Sequence, residues 1–98
     1  MDDATIKNDH DYVSITVQFV SIMQKYSGDK REIVMDLPVD PVKAIRTIIN
    51  RCQIPWEGNL EKVIRIFINQ TLYEVFVENR KRLKDEDTIA FIPISGGG

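Results

Sequence analysis

The sequence predicts an α+β fold in which a mixed β-sheet wraps on one main helix, and three observations predict it. An alternating run opens the apolar part of the chain, a single well-capped helical stretch lies near the middle, and the last apolar run is hydrophobic on both faces, as an interior strand would be. The totals fit one such domain: 98 residues, 43% of them hydrophobic and 29% charged, suffice for a single core and leave no room for a second.

Residues 1–11 are polar and acidic without any apolar period and are expected to form a disordered leader; the folded domain is assigned to residues 12–94 and a flexible tail to residues 95–98. From Tyr12 the grammar changes. Val13, Ile15, Val17 and Phe19 alternate with Ser14, Thr16 and Gln18, the period of a half-buried strand. "SIMQKYSG" reads as a short helical turn closed by Gly28, and Ile33, Met35 and Leu37 form a second alternating run that pairs with the first as a hairpin. In "DPVKAIRTIINRCQIP" Asp40 can cap, Pro41 suits the first helical position, and Val42, Ile45, Ile48, Ile49 and Cys52 fall on one helical stripe until Pro55 ends it. Trp56 in the following loop is expected to anchor that loop to the core. "KVIRIFIN" reads as a central strand, "LYEVFV" as a further strand with Tyr73, Val75 and Val77 on one face, "ENRKRLKDED" as a charged turn, and "TIAFIPI" as the closing strand.

Composition excludes several function classes. A formal charge of −2 gives no case for general affinity to nucleic acid or membranes, and the basic cluster Arg80, Lys81, Arg82 and Lys84 is nearly cancelled by the acids that follow it. The apolar runs are far shorter than a membrane span and the start lacks signal-peptide grammar, so a cytoplasmic protein is expected. His10 lies in the leader, without a scaffold to make it a general base. Cys52 sits on the apolar stripe of the helix, and one cysteine with one distant histidine cannot supply a zinc site. No bound cofactor is expected.

The unusual feature is the end, "IPISGGG". A terminal carboxylate is a poor acyl donor until an enzyme activates it in a narrow channel, and glycine lets a backbone pass where a Cβ would collide. Extended at ~3.3 Å per residue, residues 95–98 reach on the order of 13 Å.

"LKDEDTIAFIPISGGG" resembles the end of the MoaD/ThiS family of ubiquitin-like sulfur carriers, with Leu83, Asp85, Asp87, Ala90, Phe91, Pro93, Gly97 and Gly98 in register. Asn69 in "IFINQTL" and the opening strand "ITVQFV" are similar to that family too, and the likeness is nearest the small subunit of molybdopterin synthase. The resemblance implies a ubiquitin-like β-grasp fold and a carrier that is not itself an enzyme. An E1-like adenylyltransferase would use ATP to activate Gly98, a sulfur donor would convert it to a thiocarboxylate, and the large subunit of molybdopterin synthase would use that sulfur to build the molybdenum cofactor's dithiolene. Gly96 and Gly97 would form the slender stem, and partners would dock near Phe19, Phe91, Ile92 and Pro93. Carriers for tRNA thiolation or thiamin and lysine-conjugating modifiers end in the same way, and a non-catalytic interaction domain is the third reading. Two positions and one segment depart from the family pattern: Ile94 replaces a second proline, Glu86 replaces a turn glycine expected to be absorbed by a different turn, and the stretch from Asn69 to Leu83 is longer.

Overall fold

The computed structural model of the protein describes residues 11–94. Five strands form one sheet in the order β2-β1-β5-β3-β4, comprising β1 (Tyr12–Phe19), β2 (Glu32–Pro38), β3 (Ile64–Ile68), β4 (Thr71–Leu72) and β5 (Thr88–Pro93). β1 pairs antiparallel with β2 and parallel with β5, and β5 pairs antiparallel with β3. The first and last strands therefore lie side by side inside the sheet. This mixed order, with the helix α1 (Pro41–Arg51) packed against the sheet, is the β-grasp arrangement.

Each expected element has a visible cause. β1 turns Val13, Ile15, Val17 and Phe19 inward, and its partners Ile33, Met35 and Leu37 follow by register. Ser21–Ser27 makes a short 3₁₀ turn pinned by buried Met23, and Gly28 closes it at φ 69°, where a Cβ would be strained. α1 starts where Asp40 accepts a hydrogen bond from the Lys43 N–H at 3.0 Å with Pro41 behind it, and it buries Ala44, Ile45 and Ile48. Trp56 packs against the core, its ring edge-on to Phe91 at 5.9 Å.

Two segments differ from expectation. "LYEVFV" is not a strand: after the two residues of β4 the chain turns into the helix α3 (Tyr73–Glu78). Tyr73, Phe76 and Val77, spaced i, i+3 and i+4, face inward, while Val75 is exposed, so a six-residue run that satisfies period two at its valines satisfies period 3.6 at its aromatics. The segment before β3 is also different. Glu61–Val63 is a single helical turn, α2, and β3 alternates buried Ile64, Ile66 and Ile68 with outward Arg65 and Phe67. β3 lies inside the sheet, between β5 and the short β4, and β5 is the middle strand of the five.

Asp11, expected in the leader, is tied to the domain, its carbonyl accepting from the Val39 N–H at 3.1 Å; the rest of the expected leader lies outside the described residues. The charged stretch after α3 is not merely a solvated turn. Leu83 is buried in it, and its N–H donates to the Val39 carbonyl at 2.9 Å.

Candidate functional site

The end of β5 is where the sheet delivers residues 95–98, which themselves lie outside the described residues, Gly96, Gly97 and Gly98 included. The β3–β5 register places Ile64 opposite Pro93, and one step further the Ile94 N–H donates to the Val63 carbonyl at 2.7 Å. Hydrogen bonds to β3 thus fall on Ile92 and Ile94, and Pro93, between them, directs its ring nitrogen toward the β1 side. There β1 has already ended: the last link on that side is the Val20 N–H to the Phe91 carbonyl at 3.2 Å. The proline occupies a position where no donor is needed. Ile94, standing where the family pattern has a second proline, contributes a ladder bond that proline could not make.

Phe19 and Phe91 are core residues. They are 1% and 0% exposed and their rings stack at 5.9 Å, so neither presents a surface to a partner. Ile92 and Pro93 are half-buried and accessible. Further exposed apolar residues near the end of β5 add to Ile92 and Pro93. Val20, bonded to Phe91, flanks β5 on one side and Val63, bonded to Ile94, on the other; these three and Ile22, in the turn after Val20, are all exposed. On the sheet face turned away from α1, Phe67, Ala90 and Ile92 floor a shallow groove of about 580 Å³ edged by Gln18, Asn69, Gln70 and Thr88. The signal was present in the outward positions of β3 and β5, which should be polar on a solvated face and instead carry Phe67, Ala90 and Ile92.

The opposite end of β5 is held by a polar clasp. Asn69 and Gln70, both at positive φ (52° and 82°), make the two-residue turn between β3 and β4. That turn aims the Asn69 side chain at the loop before β5: Asn69 Nδ2 donates to Asp87 Oδ1 at 2.9 Å and Asn69 Oδ1 accepts the Thr88 N–H at 2.9 Å. Asp87 Oδ2 accepts the Lys84 N–H at 2.8 Å, and Asp85 Oδ1 accepts the Ser14 N–H at 2.8 Å. Glu86, between them, sits at φ 75° with its N–H on the Ser14 carbonyl. The family's turn glycine has been replaced here without a change to a right-handed turn, so the side chain bears the strain. Replacing Glu86 by Gly is expected to stabilise the fold by roughly 1 kcal/mol in urea unfolding.

Among the described residues no group of acids, cysteines and histidines could hold a metal ion, and no helix is long and apolar enough to cross a membrane. Burial pushes the Cys52 thiol up, against the opposing pull of Arg51, which suits an inert thiol rather than a nucleophile. Tyr73 is likewise pushed up, by burial first and then by Asp40 and Glu74.

The β-grasp sheet, whose central strand ends among exposed apolar residues and leads in sequence into three glycines, defines a ubiquitin-like domain. The sequence profile of the ThiS family matches residues 17–98, and the chain belongs to that family. Three solved structures share the fold. Small archaeal modifier protein 1 of Methanosarcina acetivorans is 19% identical with a TM-score of 0.67, covering 89% of this chain and 98% of its own. A chain of the BexX/CysO complex of Amycolatopsis orientalis is 19% identical with a TM-score of 0.63, covering 86% and 99%. The HVO 2177 protein of Haloferax volcanii is 14% identical with a TM-score of 0.61, covering 100% and 98%. No curated protein sequence matches the chain.

Proposed function

We propose that the protein is a sulfur carrier that bears a thiocarboxylate on Gly98 and serves as the small subunit of molybdopterin synthase. The observation that carries this reading is the family match running through Gly98 itself, joined to a central strand, β5, after which the sequence runs directly into the glycines. The carboxylate oxygen of Gly98 attacks the α-phosphate of ATP bound to an E1-like enzyme, and pyrophosphate leaves. A sulfide-level sulfur nucleophile then attacks the acyl carbon, AMP departs, and the thiocarboxylate remains. Gly96 and Gly97 keep the stem thin enough for the channel. ATP belongs to the activating enzyme, and the chain supplies substrate and docking surface.

Docking is assigned to Val20, Ile22, Val63 and Ile94 with Ile92, Pro93 and Phe67, in place of the buried Phe19 and Phe91. Apolar area gathered at the stem's root offsets the ordering of the stem when it enters a partner. The likeness to a structure named as an archaeal modifier favours one second reading, a protein modifier whose activated Gly98 passes to a lysine.

With an E1-like adenylyltransferase of the same organism, ATP–pyrophosphate exchange is expected for the whole chain and is expected to vanish when Gly98 is deleted, with the unfolding midpoint unchanged. Exchange that survives the deletion overturns the carrier reading. Recovery from cells of a form with one oxygen replaced by sulfur, copurifying with the large synthase subunit, selects sulfur transfer for molybdopterin. Isopeptide-linked adducts select the modifier.

A further inference from the structure

The sheet has two edges, and they are unequal. β4 is two residues long and runs straight into α3, whereas β2 spans Glu32–Pro38 with nothing paired to its outer side among the described residues. The register says which groups that edge presents. The Phe19 N–H donates to the Arg31 carbonyl at 2.8 Å, so hydrogen-bonded pairs recur at Val17–Ile33, Ile15–Met35 and Val13–Leu37. Glu32, Val34 and Asp36 therefore turn their backbone N–H and C=O groups away from β1. The outward bonds of their partners on β1 agree, since Ser14 and Thr16 donate to the Asp85 side chain and the Asp87 carbonyl. Along the outer edge the only hydrogen bond among the described residues is a long one, from Arg51 Nη1 to the Asp36 carbonyl at 3.3 Å.

The side chains of the same three residues share the sheet face away from α1, and all three are exposed, Val34 at 66%. An exposed valine thus stands between two carboxylates, each two residues away. A second copy of the chain does not fit. Antiparallel pairing centred on Val34 would set Glu32 of one copy against Asp36 of the other, like charges directly opposed across the pair. The complement is a strand with a basic residue at either side of an apolar one.

We propose that the β2 edge is a docking site for an extended protein segment of pattern basic–x–apolar–x–basic. The segment adds as a sixth strand through the backbone groups of Glu32, Val34 and Asp36, with its apolar residue on Val34 and its basic residues on the two carboxylates. This surface lies at the far side of β1 from β5, so it can be engaged independently of the stem.

The test uses the whole chain and the peptide acetyl-Thr-Lys-Thr-Val-Thr-Lys-Thr-amide, followed by amide chemical shifts and hydrogen exchange. Binding is expected on the order of 100 μM, weakening with salt, with slowed exchange at the Glu32, Val34 and Asp36 amides. Val34→Pro removes an N–H that faces outward and leaves the β1 ladder intact, and it is expected to weaken binding roughly tenfold. Glu32→Gln with Asp36→Asn, which leaves the backbone untouched, is expected to weaken it about fivefold and to flatten the salt dependence. A peptide with Glu in place of both Lys is expected not to bind. The proposal is overturned if the basic peptide does not bind, if the acidic one binds equally, or if folded Val34→Pro and the neutralised variant both keep full affinity.

Discussion

Phe91→Ala is expected to remove about 3–5 kcal/mol of stability, a large part of the ~5–15 kcal/mol that holds a domain of this kind together. Phe91 is fully buried on the central strand, stacked with Phe19 and met edge-on by Trp56. Truncation leaves a cavity bounded by two rings that sit on different elements and cannot both close over it. Thermal unfolding followed through the single tryptophan should fall by on the order of 20 °C. Phe91→Leu should lose less than half as much. A loss for Phe91→Ala below about 1 kcal/mol would mean that the core is not organised around this strand.

Asp87→Ala is expected to cost about 2–3 kcal/mol, a large loss for a polar side chain. Asp87 is 8% exposed, and its two oxygens accept from the Asn69 side chain and the Lys84 backbone. Alanine leaves both donors in place without partners. Asn69→Ala removes one donor together with its acceptor for the Thr88 N–H, so the double variant should cost clearly less than the sum of the singles. Urea unfolding of the four proteins tests this, and strict additivity would show that the Asn69 and Asp87 side chains do not act as a unit.

Most of the fold is legible because pattern and capping agree. The alternation from Val13 to Phe19 and the Asp40–Pro41 start of α1 each point to one structure, and that structure forms. Legibility fails where a segment is short. In Leu72–Glu78 the valines and the aromatics obey different periods, and only the core available beneath Phe76 decides between them. The site divides in the same way. A glycine stem can be read from composition, because the absence of side chains is a property of the sequence. The apolar groove beside β5 cannot, because an apolar residue on β5 looks the same whether it lies in the core, as Phe91 does, or on the open face, as Ile92 does. Register decides that, and register is a property of the neighbours. The family pattern likewise marks Glu86 as unusual, but only the backbone shows that the left-handed turn is kept.

The parallel pairing of β1 with β5 also bears on when the domain can form. β1 is the first strand to leave the ribosome and β5 the last, and the sheet has no interior until they meet. Ile66, Phe67 and Ile68 have no inner neighbour before Ile89, Ala90 and Phe91 arrive. Closure must wait for β5, so folding is governed by a contact between residues about 70 positions apart in sequence, as from Thr16 to Thr88. A chain interrupted anywhere before Pro93 lacks both its core and its stem. The core and the strand that leads in sequence to the terminal glycines are thereby completed in one event, so the residues before the glycines cannot take up their places in the sheet ahead of the rest of the domain.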